Sequence, residues 1–187
     1  MNITFLVYLF SIFSSSFSIG YHRDLYTFYL YSFQSFVSKL CLFFLFHYNI
    51  RCLFLIDIIC ADFPKNKMRF FLTYNFYSVI YNIRILLSCF ISDNQSLFSI
   101  TNIFPVANWM EREIFDMFGL IFYSHPDLRR ILTDYGFFGN PLKKDYPLSG
   151  FIEVHYDEKY KCVMSNKINF IQYFRNYSYD LPWSFNY

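Results

Sequence analysis

Alanine and glycine are nearly missing from this chain: it holds two alanines, Ala61 and Ala107, and five glycines. Glycine this sparse leaves no phosphate-cradling or dinucleotide-binding loop, which needs several closely spaced glycines so that backbone can approach the ligand. Charge is scarce as well, at 16% of residues. With a net charge of +2 and no basic run of five residues, the electrostatic footprint of a nucleic-acid binder is absent. The five cysteines (41, 52, 60, 89 and 162) are odd in number, widely spaced and contain no Cys-x-x-Cys. An iron–sulfur cluster needs about four thiolates brought together, and neighbouring positions here do not supply them. Buried free thiols are the expectation. No serine elbow and no neighbouring Cys–His pair is present, and the four histidines (22, 47, 125 and 155) are scattered, so neither an activated nucleophile nor a metal site is read from them.

What fills the space is aromatic: 27 Phe and 18 Tyr. Phe, Tyr, Ile and Asn standing in for Ala and Gly is the pattern of an A+T-biased coding sequence. The bias inflates the mean hydropathy of +0.24, so a run of Phe is weak evidence for a membrane span. Residues 1–20 carry no charged side chain and no positive stretch precedes their apolar run, which Ser11 and Ser14 to Ser16 dilute. They are expected to pack on the fold or on a partner, without spanning a bilayer.

At 187 residues the chain makes one domain with a tail. Leu25, Phe28, Tyr29, Phe36, Val37 and Leu40 recur at helical spacing, predicting a helix over 21–40. Cys52 to Cys60 is an apolar run of strand length, expected to be buried, with a turn at Asp62-Phe63-Pro64. Arg69 to Tyr77 reads as a strand. In Asn82 to Ser92, Ile83, Ile85, Leu87, Cys89 and Ile91 share one face, with Arg84, Ser88 and Ser92 on a wetter one. A second helix starts between Pro105 and Asn108, with Asn108 and Glu111 spaced as a capping box and Gly119 as the terminator. His125-Pro126 opens a short turn or helix through Leu132. Gly136, Gly139, Pro141, Pro147 and Gly150 then impose extended, irregular backbone, and Phe151 to Tyr156 is strand-like. The fold class is therefore α+β: a small, mainly antiparallel sheet packed with helices, then a charged helix and a long extended C-terminal tail. The organisation is an apolar segment 1–20, an α+β domain 21–119, and an extended charged segment and tail 120–187.

Against this background, residues 108–157 hold thirteen Asp, Glu, Lys and Arg, while the preceding 107 residues hold eleven. On helical steps Arg112, Glu113 and Asp116 share one arc, with Arg112 and Asp116 able to pair, and Glu111 points elsewhere. One solvated stripe does not account for charges facing two directions. An enzyme reading would use Glu111 or Glu113 with Asp116 as acid and base and His125 nearby. A docking reading has the block fix a partner, the alternately signed Asp127, Arg129, Arg130, Lys143, Lys144 and Asp145 being suited to orienting an interface. A merely solvated loop is the third reading.

The run Asn108-Trp109-Met110-Glu111-Arg112-Glu113, then Asp116-Met117-Phe118-Gly119, then His125-Pro126-Asp127-Leu128-Arg129-Arg130 through Gly136, and Gly139-Asn140-Pro141-Leu142-Lys143-Lys144-Asp145-Tyr146-Pro147-Leu148 closely resembles the signature of the 30-kDa subunit family of respiratory complex I, which has both mitochondrial and bacterial members. The likeness runs from about Leu53 to Trp183 and closes on Phe174-Arg175 and Pro182-Trp183; Met1 to Leu40 is only loosely similar. Asn140 stands where the family usually has His, and Lys143 where it usually has Arg, a change that keeps charge but loses the bidentate fork. The resemblance implies a cofactor-free subunit of the peripheral arm, with FMN and iron–sulfur clusters in partner subunits. It implies a place beside the 49-kDa quinone-pocket subunit, which the tail embraces, among other peripheral-arm subunits on the matrix face of the mitochondrial inner membrane. The membrane would be met only through the complex, which passes electrons from NADH to ubiquinone and pumps protons. The A+T-like composition then points to a mitochondrially encoded copy. No catalytic, cofactor-binding or metal residue is expected in the chain. Its structural and partner-facing set would be Trp109, Glu111, Arg112, Glu113, Asp116, His125, Asp127, Arg129, Arg130, Lys143, Lys144, Asp145 and Trp183. The alternatives are the corresponding subunit of the plastid ferredoxin–plastoquinone oxidoreductase, which shares the signature, and an independent hydrolase using Glu113 and His125.

Overall fold

A computed structural model describes residues 17–22, 27–170, 172, 174, 175 and 177. Contacts divide the chain into two units, Met1–Tyr146 and Pro147–Tyr187. In the first, β1 (Phe17–His22), β2 (Thr27–Ser32), β3 (Phe54–Asp62), β4 (Phe70–Ser78) and β5 (Ile83–Ile91) form one sheet in the order β1-β2-β5-β4-β3. Its pairings are antiparallel except β2–β5, which is parallel. That exception follows from the route: β2 leads through a single 3-10 turn (Gln34–Phe36) into α1 (Val37–Phe46), and the chain crosses over before β3 and β4 return it to β5. The α+β class expected from the sequence is the one found.

The two inner strands owe their place to alternation. Phe70, Leu72, Tyr74 and Phe76 of β4 and Ile85, Leu87 and Ile91 of β5 are fully buried on one face. Phe44 of α1 and Phe104 meet Phe76 on that face, at ring-centroid distances of 5.6 and 5.3 Å. Each such side chain removed from water contributes about 1.5–3 kcal/mol. Ser88, expected on the wetter face, is buried because its hydroxyl meets that of Thr73 across the β4–β5 pair at 2.9 Å.

Two expectations fail, each for a physical reason. The predicted helix over 21–40 is displaced: Thr27–Ser32 is a strand burying Phe28 and Leu30, and the helix begins only at Val37. In a chain this aromatic, residues three and four apart are apolar by composition, so helical spacing carries little information; alternation is the relevant period. The apolar run before Cys60 is an edge strand, not a buried one. β3 buries Leu55, Ile58 and Asp62, exposes Phe54, Ile56 and Ile59, and carries an irregularity between Leu55 and Asp57.

Beyond the sheet, β6 (Leu97–Phe98) and β7 (Phe122–Tyr123) pair in parallel and bracket α2 (Ala107–Phe118). Residues 120–146 belong with the first unit. Among the described residues no helix is long and apolar enough to cross a membrane. The expectation for residues 1–20 falls largely outside the described residues, with 17–20 lying in β1.

The second unit holds the hairpin β8 (Ile152–Asp157) and β9 (Cys162–Lys167). The strand expected at Phe151 to Tyr156 is β8; its mate lay unread within the tail. Register puts Ile152, Val154, Tyr156 and Val163, each more than half exposed, on one face with Ser165 and Lys167, and Glu153, His155, Asp157, Cys162, Met164 and Asn166 on the other.

Candidate functional site

α2 starts after Pro105 and ends at Gly119, whose φ of +75° is the left-handed terminator that residues with a Cβ rarely adopt. The capping box is not formed. The residue before the helix is Val106, no side chain caps the first turn, and Glu111 turns inward instead. Its carboxylate accepts from the Ser99 hydroxyl at 2.6 Å and the Ile100 N–H at 2.8 Å, while Ser99 also bonds the Thr101 hydroxyl at 2.8 Å. The His125 ring is sealed against it: Nε2 lies 3.8 Å from Glu111 Oε2, with both side chains fully buried. Nε2 is 3.3 Å from the Asn108 carbonyl, and the Asp127 N–H donates to Nδ1 at 3.1 Å. Burial pushes the Glu111 carboxyl up to about 7, against the pull of its Ser99 and Ile100 donors.

One turn further on, Arg112 and Asp116 hold a different stretch. Arg112 donates through Nε to the Arg129 carbonyl at 3.0 Å, and its guanidinium lies 5.0 Å over the exposed Trp109 ring. Asp116 is fully buried and accepts from the N–H groups of Ile131, Leu132 and Thr133 at 3.3, 2.9 and 2.9 Å, and from the Thr133 hydroxyl at 2.7 Å. Burial alone would raise this carboxyl, but those donors hold it below its ordinary value. The expected Arg112–Asp116 pair is therefore replaced: Asp116 faces Arg130, at 3.7 Å, and Arg112 reaches the backbone. For the same reason residues 125–132 are no helix. The N–H groups of Ile131 and Leu132 turn to a carboxylate on α2, and that of Asp127 to the His125 ring. Arg130 steadies the next bend through the carbonyls of Phe137, at 2.7 Å, and Gly139, at 3.1 Å.

The end of α2 carries a third stretch. The Asn140 side-chain amide donates to the Asp116 carbonyl at 2.9 Å, and the Leu142 N–H to the Met117 carbonyl at 3.1 Å. Asn140 thus satisfies carbonyls that a helix leaves unpaired at its end. Lys143 reaches Asp93 at 3.1 Å, a single bond. The Lys144 backbone N–H and Arg69 both bond Asp62, at 2.8 and 2.6 Å, and Arg69 also grips Asp145 at 2.9 Å. Hydrogen bonds from Arg69 hold the Asp62 and Asp145 carboxyls below their ordinary range.

Most of the residues singled out in the sequence meet in this hub or beside it. Glu113 is exposed and has no hydrogen bond or ion pair among the described residues. Asp127 and Arg129 pair with each other at 3.0 Å in the open, their side chains 56% and 72% exposed. Trp183 lies outside the described residues. His125 meets Glu111, not Glu113, and the side chains of that pair are sealed from solvent. Ser99, Thr101, Thr133, Asp62, Asp93 and Arg69 were missed. Arg69 could have been found, since a lone charged side chain opening a strand of uncharged residues demands a partner. What the arrangement does chemically is hold irregular backbone: two carboxylates and one guanidinium supply bonds that segments 99–101 and 129–133 cannot make internally, and the Asn140 amide ties 140–142 to the end of α2.

Residues 34–152 match the family described as "Respiratory-chain NADH dehydrogenase, 30 Kd subunit". The chain is 43% identical over 162 residues to NADH-ubiquinone oxidoreductase subunit 9 of Prototheca wickerhamii, covering 87% of this chain and 83% of that protein. It is 49% identical over 137 residues to NADH dehydrogenase [ubiquinone] iron-sulfur protein 3 of Beta trigyna, covering 73% of this chain and 71% of that one. Among solved structures it resembles a chain of the membrane-bound sulfane sulfur reductase, an archaeal respiratory membrane complex. The TM-score is 0.67 at 17% identity, with 79% of this chain and 87% of that one covered, a likeness of fold.

Proposed function

The chain belongs to the family of the 30-kDa subunit of respiratory-chain NADH dehydrogenase, and on that premise we propose that it acts as a cofactor-free scaffold of the peripheral arm of a proton-pumping NADH:ubiquinone oxidoreductase. In this reading it stands beside the 49-kDa quinone-pocket subunit on the matrix side of the mitochondrial inner membrane. FMN and the iron–sulfur clusters belong to other subunits, and the chain contributes assembly, not catalysis. The observation that carries the proposal is the use of the charged block: Glu111, Arg112 and Asp116 are spent on shaping the chain's own backbone.

Two further features support it. The hairpin of the second unit exposes apolar side chains on one face, and a two-stranded hairpin is at best marginal alone, so a surface that receives it fits a tail ordered on a partner. The words "iron-sulfur protein" in the Beta trigyna relative's name do not suit the cysteines here. Cys41, Cys52 and Cys89 are free thiols buried in the core, and Cys162 is free and exposed in the second unit. Among the described residues no three His, Cys, Asp or Glu converge to hold a metal.

Arg129→Ala tests the docking role cleanly, because the hub uses only the Arg129 carbonyl, which Ala retains. The side chain's exposed pairing with Asp127 is worth at most about 1 kcal/mol, so the chain itself should stay folded. The expected result is less intact complex on native gels, with near-normal NADH:ubiquinone turnover per assembled complex. Full assembly with turnover abolished would mean that Arg129 shapes the chemistry, and would overturn the scaffold reading.

A further inference from the structure

We propose that Glu111 is a buried proton-binding site: its carboxyl holds an exchangeable proton when the joint between α2, segment 99–101 and the 120–127 strap is closed, and releasing that proton loosens the joint. The argument starts from what faces the carboxyl. From the strap, His125 approaches at 3.8 Å, but its Nδ1 accepts the Asp127 N–H, which leaves the ring neutral with its hydrogen on Nε2. A neutral imidazole cannot compensate a buried carboxylate. From segment 99–101 come the Ser99 hydroxyl and the Ile100 N–H, with Thr101 behind Ser99. From α1 and β4 the electrostatic neighbourhood contains Cys41 and Tyr74, both kept neutral by burial. On α2 itself, Arg112 is committed to the Arg129 carbonyl and the Trp109 face. No cation among the described residues is therefore in place for Glu111, and a buried charge without one is expensive enough that the group neutralises instead. Protonated, the acid can still accept the Ile100 N–H on one oxygen while its other oxygen shares a hydrogen with Ser99.

The direction of the pH effect follows by linkage. Raised from an ordinary 4.5 to about 7 in the folded chain, the group keeps a proton that the unfolded chain has lost. Its contribution to stability is full below 4.5 and falls as pH rises, by roughly tenfold in the folding equilibrium per pH unit until about 7, then stays level. Across the window the loss is roughly 300-fold.

The experiment follows the side-chain carboxyl carbons of the full chain, labelled at glutamate, by NMR from pH 5 to 9, with amide hydrogen exchange recorded alongside. One glutamate resonance is expected to titrate near neutrality, to vanish in Glu111→Gln and to persist in Glu113→Gln. Exchange within 99–101 and 120–127, corrected for the intrinsic effect of pH, should speed up through the same midpoint in the unmodified chain and lose that step in Glu111→Gln. Should Glu111→Gln fail to fold, the coincidence of the two midpoints in the unmodified chain remains decisive. Every glutamate carboxyl ionised throughout the range, or a titration without the exchange step, would overturn the proposal.

Discussion

Asp116 is where a single substitution should do the most damage. Its carboxylate accepts four hydrogen bonds from Ile131, Leu132 and Thr133, and Asp116→Ala removes all of them at once. A bond to a charged group is worth about 1.5–3 kcal/mol, but four do not add. Three of them converge on one oxygen, and Leu132 is exposed, so water can replace part of what is lost. The expected cost is about 3–5 kcal/mol, the range for breaking a buried charged contact by removing one side of it. Asp116→Asn keeps one acceptor oxygen and should cost about half as much. There is also a pH signature. Because this carboxyl is held below its ordinary 3.8, its contribution is present above that value and is lost as pH falls through the lower folded value, so parent and Asn variant should converge in acid. Denaturant unfolding of the full chain gives the energies, and hydrogen exchange over 129–134 tests the mechanism, since protection there should be lost before the sheet opens. Asp116→Ala with a loss under about 1 kcal/mol and unchanged exchange in that segment would refute the reasoning.

Gly119→Ala should lower stability by about 1–3 kcal/mol, because Ala is strained at a φ of +75° and its Cβ would lie 2.7 Å from the Asn140 amide oxygen. A thermal melt reads the loss, and an Asn140→Ala background, which relieves the contact but not the strain, should recover only part of it. Asp62→Asn should weaken the anchoring of the 143–145 stretch, whose Lys144 N–H donates to Asp62, and since Asp62 is held low by Arg69, the parent's advantage should be present above the ordinary 3.8 and fade in more acidic solution. Proteolysis between Lys143 and Asp145, quicker in the variant at neutral pH, measures it.

How much of this was legible in the sequence depended on which physical signal each part left. β4 and β5 could be read because alternation survives a Phe-rich composition, and α2 could be placed because Pro105 and Gly119 punctuate it through backbone geometry. β2 was misread because Phe and Tyr populate every position, so that helical and strand periods both find matches between Leu25 and Leu40. The block's two-faced charge was visible, and with it the inference that no single solvated stripe explains it. Its partners were not visible, because Asp116 and Glu111 are satisfied mainly by backbone N–H groups and hydroxyls, and a backbone donor has no residue type to announce it. Asn108 and Glu111 matched a capping box in spacing alone; the buried hydroxyls of Ser99 and Thr101 offered Glu111 a competing site, and it was taken.

The same reasoning explains why a chain so sparing of charge concentrates it around one helix. From Gly119 to Tyr146 the backbone is irregular, and its unpaired N–H groups and carbonyls would be costly to enclose without partners. A carboxylate on a rigid helix accepts several such donors at once, and an amide or guanidinium does the same for carbonyls, so a few charged side chains fix a long stretch that has almost no secondary structure. Charge used in this way is turned inward and is not free for a partner. Among the described residues that face outward are Glu113, the Asp127–Arg129 pair, the Trp109 ring and, in the second unit, the apolar side chains of the hairpin. Those outward groups are the ones whose substitution should change assembly while leaving the fold intact, whereas Glu111, Arg112 and Asp116 should change the fold first and assembly only as a consequence. A scaffold needs both sets, and α2 carries members of each on different faces of one short helix.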